Sequence, residues 1–446
     1  MTKVVAIFDI GKTNKKLLLF DDQYHIVDEQ SVQFRKIADE DGDPCEDVVG
    51  LSDWIRDSLN AFNKSGEIEV KAINVAAYGA SLVHLDENGD LLTPLYDYQK
   101  PYPVDLQDKF YSTYGGKVSF SLQTSSPALG SLNSGLQLYR LKEQRPELFT
   151  RVHYSLHLPQ YLAWLISKQA HSDITSIGCH TGLWDFTRMK YHDWVFAEGI
   201  AQKLPPIISS DKSFPVNHND EHVAVGVGLH DSSAALIPYL THFTDPFVLL
   251  STGTWNISLN PFNGAPLTAD ELSKDCLCYL DYKGNPVKAS RLFAGNEHEH
   301  QTRRLAEHYN MQSDHYKTVG FNPAIVKTVL HFHAQGIAFN NRDLSLFKTY
   351  EEAYHQLTLD LVSQQVISTR LVINKKSRVK RIFVDGGFSR NAVFMNLLAS
   401  AFEDMEIFAS SVPHATALGA AVAIHSHWNT RRPPTDMIKL KRYGSA

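Results

Sequence analysis

Cysteine is scarce in this 446-residue chain: Cys45, Cys179, Cys276 and Cys278 are the four, at irregular spacing. That excludes a disulfide framework and suits a reducing compartment. Cys276-Leu-Cys278 has no second pair to close a zinc site, and the histidine pairs His298/His300, His331/His333 and His425/His427 have no third ligand in sequence. An excess of one charge is missing too, since 43 Lys and Arg against 49 Asp and Glu give 43 − 49 = −6. Without a basic field, nucleic acid is not an expected partner. No apolar run approaches the ~20 residues that span a bilayer, and the opening run stops at Asp9, short of an export signal. These absences predict a cytoplasmic protein with neither membrane nor nucleic-acid partners. What is present is a folding composition, 43% hydrophobic and 21% charged. The length suits two to four domains.

Residues 4–8 predict a buried strand and 17–20 its return, joined by the polar segment Asp9-Ile-Gly-Lys-Thr-Asn-Lys-Lys16. The same order recurs at 247–250, Ser251-Thr-Gly-Thr-Trp-Asn256 and 257–259, with Gly11 on Gly253 and Asn14 on Asn256. A repeat near the start and just past the middle predicts a duplicated domain. We expect an N-terminal lobe over 1–243, a C-terminal lobe over 244–428 and a basic, solvated tail over 429–446. Each lobe alternates strand and helix patterns, which predicts an α/β fold. Leu51, Ile55, Leu59 and Phe62 mark a helix face, residues 71–77 a strand, and 82–95 a hairpin around Asn88-Gly89. Residues 382–385 lead through Gly386-Gly387 into a helix marked by Phe394, Leu397, Leu398 and Ala401.

Gly11-Lys12-Thr13 imitates the end of a Walker loop, but Ala6 stands where its first glycine belongs and a strand pattern follows. Gly226-Val-Gly228 begins like a dinucleotide fingerprint whose last glycine position holds Asp231. Neither loop is supported. Two polar turns can instead offer N–H groups and small hydroxyls to phosphate oxygens. An acid at the start of the first turn, Asp9, would repel phosphate unless it held Mg²⁺, which points to a nucleoside triphosphate. The alternative is that Asp9 only caps its turn, and that Asp231 is only a helix N-cap.

Four ordered motifs, Asp9-x-Gly-x-Thr-x-x-Lys16, Gly-Leu-His-Asp231, Ser251-Thr-Gly-Thr254 and Val384-Asp-Gly-Gly387-x-x-x-Asn391, resemble those of FGGY-type carbohydrate kinases over about residues 3–428. Parts of the chain, among them His230-Asp231 and Leu158-Pro-Gln-Tyr-Leu162, are similar to rhamnulose kinases. The resemblance implies two duplicated actin-like (ribonuclease H-like) lobes around a central cleft. It implies ATP and Mg²⁺, with Asp231 as general base, Lys16 near the transferring phosphoryl group and Asp9 organising the metal. Gly11, Thr13 and Asn14 would meet the terminal phosphates, Ser251, Gly253 and Thr254 would form the second phosphate turn, and Gly386, Gly387 and Asn391 the adenosine pocket. On the sugar side it marks Tyr78, Ser81, Asp97, Gln99 and Tyr161. Tyr161 and Trp255 could each stack on a sugar or lie in the core. Ser81 stands in place of an acid, and Tyr96-Asp-Tyr-Gln-Lys100 departs from the family's Asp-x-Arg. Lys12 replaces the usual threonine and is expected at the surface. The implied activity is phosphorylation of a small sugar, foremost a ketose such as rhamnulose or fuculose; a homo-oligomer is compatible with it. An actin- or Hsp70-type ATPase, or a catalytically silent sugar sensor, are the competing functions.

Overall fold

Val4 to Phe8 is apolar at every position because the strand it forms is buried on both faces. Strand β1 (Thr2–Ile10) sends Val5 and Ile7 to one side and Val4, Ala6, Phe8 and Ile10 to the other. The computed structural model describes residues 1–62, 68–218, 221–333, 337–374 and 378–444. In the N-terminal half, β2 (Lys15–Phe20) and β3 (Ile26–Val32) extend β1 antiparallel, and β4 (Ile68–Ala77) lies parallel on its other side. Then come β6 (Glu221–Gly226), parallel to β4, and β5 (Ser213–His218), antiparallel to β6. Helix α1 (Val48–Phe62) buries Val48, Leu51, Ile55 and Leu59 against this sheet, the face its periodicity predicts. A short strand, Leu229–His230, pairs with the end of β4 and feeds helix α2 (Asp231–His242).

The C-terminal half repeats this arrangement. Strands β7 (Phe247–Thr252), β8 (Asn256–Asn260), β9 (Cys276–Leu280) and β10 (Pro286–Leu292) come before helices α3 (Ala294–His308) and α4 (Tyr350–Val372). Next are β11 (Arg381–Gly386), α5 (Ala392–Ala401), β12 (Glu406–Ser411), α6 (Ala415–Ala423) and β13 (Lys439–Tyr443). The first sheet runs β5-β6-β4-β1-β2-β3 and the second β13-β12-β11-β7-β8-β10, with β9 as an additional edge strand. Every pair matches in direction between the two. This is the duplicated α/β, actin-like architecture implied by the sequence.

Helices α2 and α6 pack between the halves, in a cluster that takes Val5 and Leu18 from one sheet and Leu249 and Phe383 from the other. Their backbones touch: a Cβ on Gly419 would lie 1.8 Å from the Ala234 carbonyl oxygen. Asn74 of β4 donates to the Ala420 carbonyl across the same junction, at 2.8 Å. No helix of the described residues is long and apolar enough to cross a membrane.

One local expectation is refined and two are corrected. The hairpin around Asn88-Gly89 is short, held by the Leu85–Leu91 bridge and by Leu92 N–H donating to the His84 carbonyl at 2.9 Å, and the longer partner of Leu82–Leu85 is Tyr154–His157. Residues 439–443 are not a free tail; they form the edge strand β13 on β12. Asn256 does not repeat Asn14: it is buried and donates to Gln365 Oε1 at 2.9 Å, whereas Asn14 is exposed and accepts from Gln33.

Candidate active site

Parallel strands β1 and β4 and the strand Leu229–His230 end side by side, Asp9 facing Ala76 and His230 facing Ala77. One rim of the sheet therefore carries Asp9, the turn after it, and Asp231. Across the β1–β2 ladder Asp9 faces Lys16. Burial pushes the Asp9 carboxyl up to about 7, Asp231's charge adds to the rise, and Lys16 opposes it. A carboxylate so placed is the hard oxygen donor that a divalent cation relieves, so Asp9 fits a Mg²⁺ ligand, direct or through water.

Asp231 is the first residue of α2; the N-cap is His230, whose side chain makes no cap bond. An acid in the first turn suits the helix dipole. Asp231 Oδ1 accepts from the Ser232 N–H and hydroxyl and lies 3.3 Å from His230 Nε2, with the side chain 30% exposed. His230 is buried, and burial depresses its pKa, keeping the ring neutral. Its Nε2 also lies 3.3 Å from Cys179 Sγ, and its Nδ1 has no partner among the described residues. In sequence His230 is only a motif neighbour; the fold makes it the wall against which Asp231 is set.

The two turns close alike. Gly11 N–H donates to the Asn14 carbonyl at 3.0 Å, and Gly253 N–H to that of Trp255 at 3.1 Å. These glycine donors are consumed within their turns, whereas Thr13, Ser251 and Thr254 are exposed and would be free to meet a phosphate. The second turn is one residue shorter, which is why Trp255, and not Asn256, takes the place of Asn14. Helix α3 begins against it: Asn296 N–H donates to the Thr254 carbonyl, and a Cβ on Gly295 would sit 1.8 Å from the Gly253 carbonyl oxygen. Gly295 and Asn296 were missed in the sequence, where no motif marks them. Trp255 is exposed, contradicting a core position, and tilts on Phe293 at 4.4 Å with the Arg291 guanidinium 5.4 Å from its ring. The rims approach one another through the His230 ring, 6.0 Å from Tyr279 of β9.

At Gly386 (φ +88°) the backbone crosses Thr252 so closely that a Cβ would lie 2.0 Å from its carbonyl oxygen, and Gly387 faces open space. Asn391 also serves the fold itself: Oδ1 caps α5 through Val393 and Phe394 N–H, and Nδ2 donates one of its two hydrogens to Tyr354 at 2.7 Å. Lys16 Nζ pairs with Glu29 at 2.7 Å and lies 3.5 Å from His414 Nδ1 of the other lobe.

The sugar-side candidates divide. Asp97, nearly buried, pairs with Lys12 at 3.0 Å and Lys36 at 2.8 Å. Gln99 is exposed and donates its N–H to Asp97 Oδ1. Tyr78 donates to Glu46 Oε2 at 3.2 Å. Ser81 Oγ is sealed from solvent without a partner among the described residues, so it does not face a cleft. Tyr161 is corrected to a core residue: it is buried, stacks on Trp164 and shares a hydrogen bond with Ser52 Oγ at 3.0 Å. Lys12, expected at the surface, turns inward over Tyr78 and Tyr98, 4.9 and 4.6 Å from their ring centres. A cavity of about 230 Å³ is lined by Asp97, Tyr96, Gln137 and Arg140 but by neither turn nor Asp231. Asp39, Asp41 and Asp43, close enough together for a metal, instead surround the Lys100 ammonium.

The sequence matches the FGGY family of carbohydrate kinases, N-terminal domain, over residues 4–237 and the carbohydrate kinase FGGY C-terminal domain over 244–433. A rhamnulokinase of Yersinia pestis is 25% identical over 276 residues, 59% of this chain and 55% of that protein. An L-fuculokinase of Escherichia coli is 23% identical over 277 residues, 57% of this chain and 56% of that one. The chain spans about half the length of these curated relatives in the matches. Among solved structures, a carbohydrate kinase from Novosphingobium aromaticivorans is similar with a TM-score of 0.80 and 25% identity, covering 99% of this chain and 94% of that one. Plasmodium falciparum glycerol kinase with ADP shares the fold at a TM-score of 0.75 and 15% identity, covering 96% and 90%.

Proposed function

This chain belongs to the FGGY family of carbohydrate kinases, and from that premise we propose that it transfers the γ-phosphoryl group of ATP to a primary hydroxyl of a small sugar. The observation that carries this reading is Asp231, a part-exposed carboxylate fixed at a helix start on the same rim as Asp9 and the first turn. Phosphoryl transfer asks for positioning and charge neutralisation more than covalent chemistry. Asp231 takes the proton from the attacking hydroxyl, with His230 holding its Oδ1 side. Lys16 exchanges Glu29 for the transferring group, and Thr13, Ser251 and Thr254 bind phosphate oxygens. Mg²⁺ held at Asp9 would supply the charge that offsets the triphosphate. Lobe closure around α2 and α6 would exclude water from the transfer.

The rhamnulokinase and L-fuculokinase relatives favour a deoxyhexulose among ketoses as the acceptor. We expect ADP release, measured with Mg²⁺-ATP across ketoses, aldoses, sugar acids and polyols, to rise strongly with one acceptor class. A rate that no sugar changes would favour a non-transferring ATPase of the same fold and overturn the proposal.

A further inference from the structure

We propose that Lys12, although carried on the first phosphate turn, is a specificity-determining residue of the sugar site: its ammonium and the Asp97 carboxylate form a donor–acceptor pair for neighbouring hydroxyls of the acceptor. The inference rests on the kinase reading above and names the residue that reads the sugar. The turn has three lysines with separate destinations. Lys15, 1% exposed, is spent on Glu46 at 2.6 Å inside the fold. Lys16 goes to Glu29 and His414 at the boundary with the other lobe. Lys12 leaves the turn in another direction, to Asp97 at 3.0 Å between the rings of Tyr78 and Tyr98.

A lysine meant for phosphate would keep its charge toward the turn's N–H groups; here two aromatic faces and a carboxylate hold it elsewhere. Asp97 does not need Lys12 for its own sake. Lys36 Nζ at 2.8 Å and the Gln99 N–H at 3.0 Å already satisfy it, and together with Lys12 they outweigh burial and hold its carboxyl below the usual range. The ensemble adjoins the rim that carries Asp231: Tyr78 N–H donates to the Ile10 carbonyl at 3.1 Å, and a Cβ on the next residue, Gly79, would lie 2.9 Å from the His230 ring, itself 3.3 Å from Asp231. The Lys12 side chain keeps 23% of its surface exposed, so a ligand can reach the pair from the Lys12 side. An ion pair walled by tyrosines offers donors, an acceptor and apolar ring faces without a large excess of charge, which suits a neutral polyhydroxy ligand.

The test is steady-state kinetics of full-length Lys12→Met and Lys12→Arg with the acceptor that the sugar panel selects for the unaltered protein. Losing one charge-assisted hydrogen bond predicts a rise in KM for the sugar of about tenfold or more in Lys12→Met. KM for ATP should stay within about twofold, and Lys12→Arg should recover part of the loss. Thermal stabilisation of the variant by ADP, equal to that of the unaltered protein, verifies that it is folded. An increase in KM for ATP with the sugar KM unmoved would assign Lys12 to the phosphates and overturn the inference, as would no change in either constant. Those results leave the kinase reading standing. An unaltered protein that no sugar stimulates defeats the kinase reading and this inference with it.

Discussion

Asp9 sits in a charge environment that the chain alone does not balance. Burial lifts its carboxyl from the ordinary 3.8 to about 7 in the folded protein. Between those values the native state binds the additional proton, so stability falls as pH rises through the interval, and the full penalty applies above it. Asp9→Asn should therefore be more stable than the unaltered protein at pH 8 without divalent ions, by on the order of 1–4 kcal/mol, with the difference vanishing near pH 4. Thermal unfolding of both proteins at several pH values measures this, and a difference independent of pH would contradict it. Asp9 could be picked out from sequence because it ends a buried strand at a polar turn, and Asp231 because its motif resembles that of the carbohydrate kinases. Side-chain direction could not. Tyr161 sits on the helix Leu158–Ser167, apolar nearly all round, so no polar face in its sequence says which way it points. Lys12 turns inward only because Tyr78, Tyr98 and Asp97, far along the chain, are brought beside it.

Strands and helices that carry their own period were readable: α1, β7, β11 and α5 lie where apolar spacing puts them. Elements defined by distant partners were not. Leu82–Leu85 makes the short hairpin its sequence suggests, but its longer partner lies some 70 positions on, at Tyr154–His157. Strand β13 is basic and exposed, as edge strands commonly are, and so resembles a tail. The start of α3 is another such case, since nothing before the fold shows why residue 295 must lack a side chain. Its contact with the second turn gives a prediction at this level. Gly295→Ala drives a methyl into the Gly253 backbone, and the turn has to move. KM for ATP should rise about tenfold with little change in KM for the sugar, as an overpacking strain of about 1–3 kcal/mol would give. Equal increases in both constants would mean that the turn serves both ligands.

Two lobes built on one strand order were visible in the recurrence of a polar turn after a buried strand, and the matching of the two sheets pair by pair gives that recurrence its physical content. Their junction was invisible beforehand, because it depends on Gly419 letting α6 meet the Ala234 backbone and on Asn74 bonding to Ala420. Through that junction the start of α2, where Asp231 lies, shares a boundary with the C-terminal lobe: Ser233 donates to the Leu280 carbonyl at 3.2 Å, and His230 approaches Tyr279. If both lobes bind nucleotide and one carboxylate removes the proton, the two tasks are separable by mutation. Asp231→Asn keeps the shape and removes the base, so sugar-dependent ADP release should fall about 10²–10⁴-fold while ATP affinity, measured directly, is preserved. Turnover near that of the unaltered protein in this variant would contradict the account.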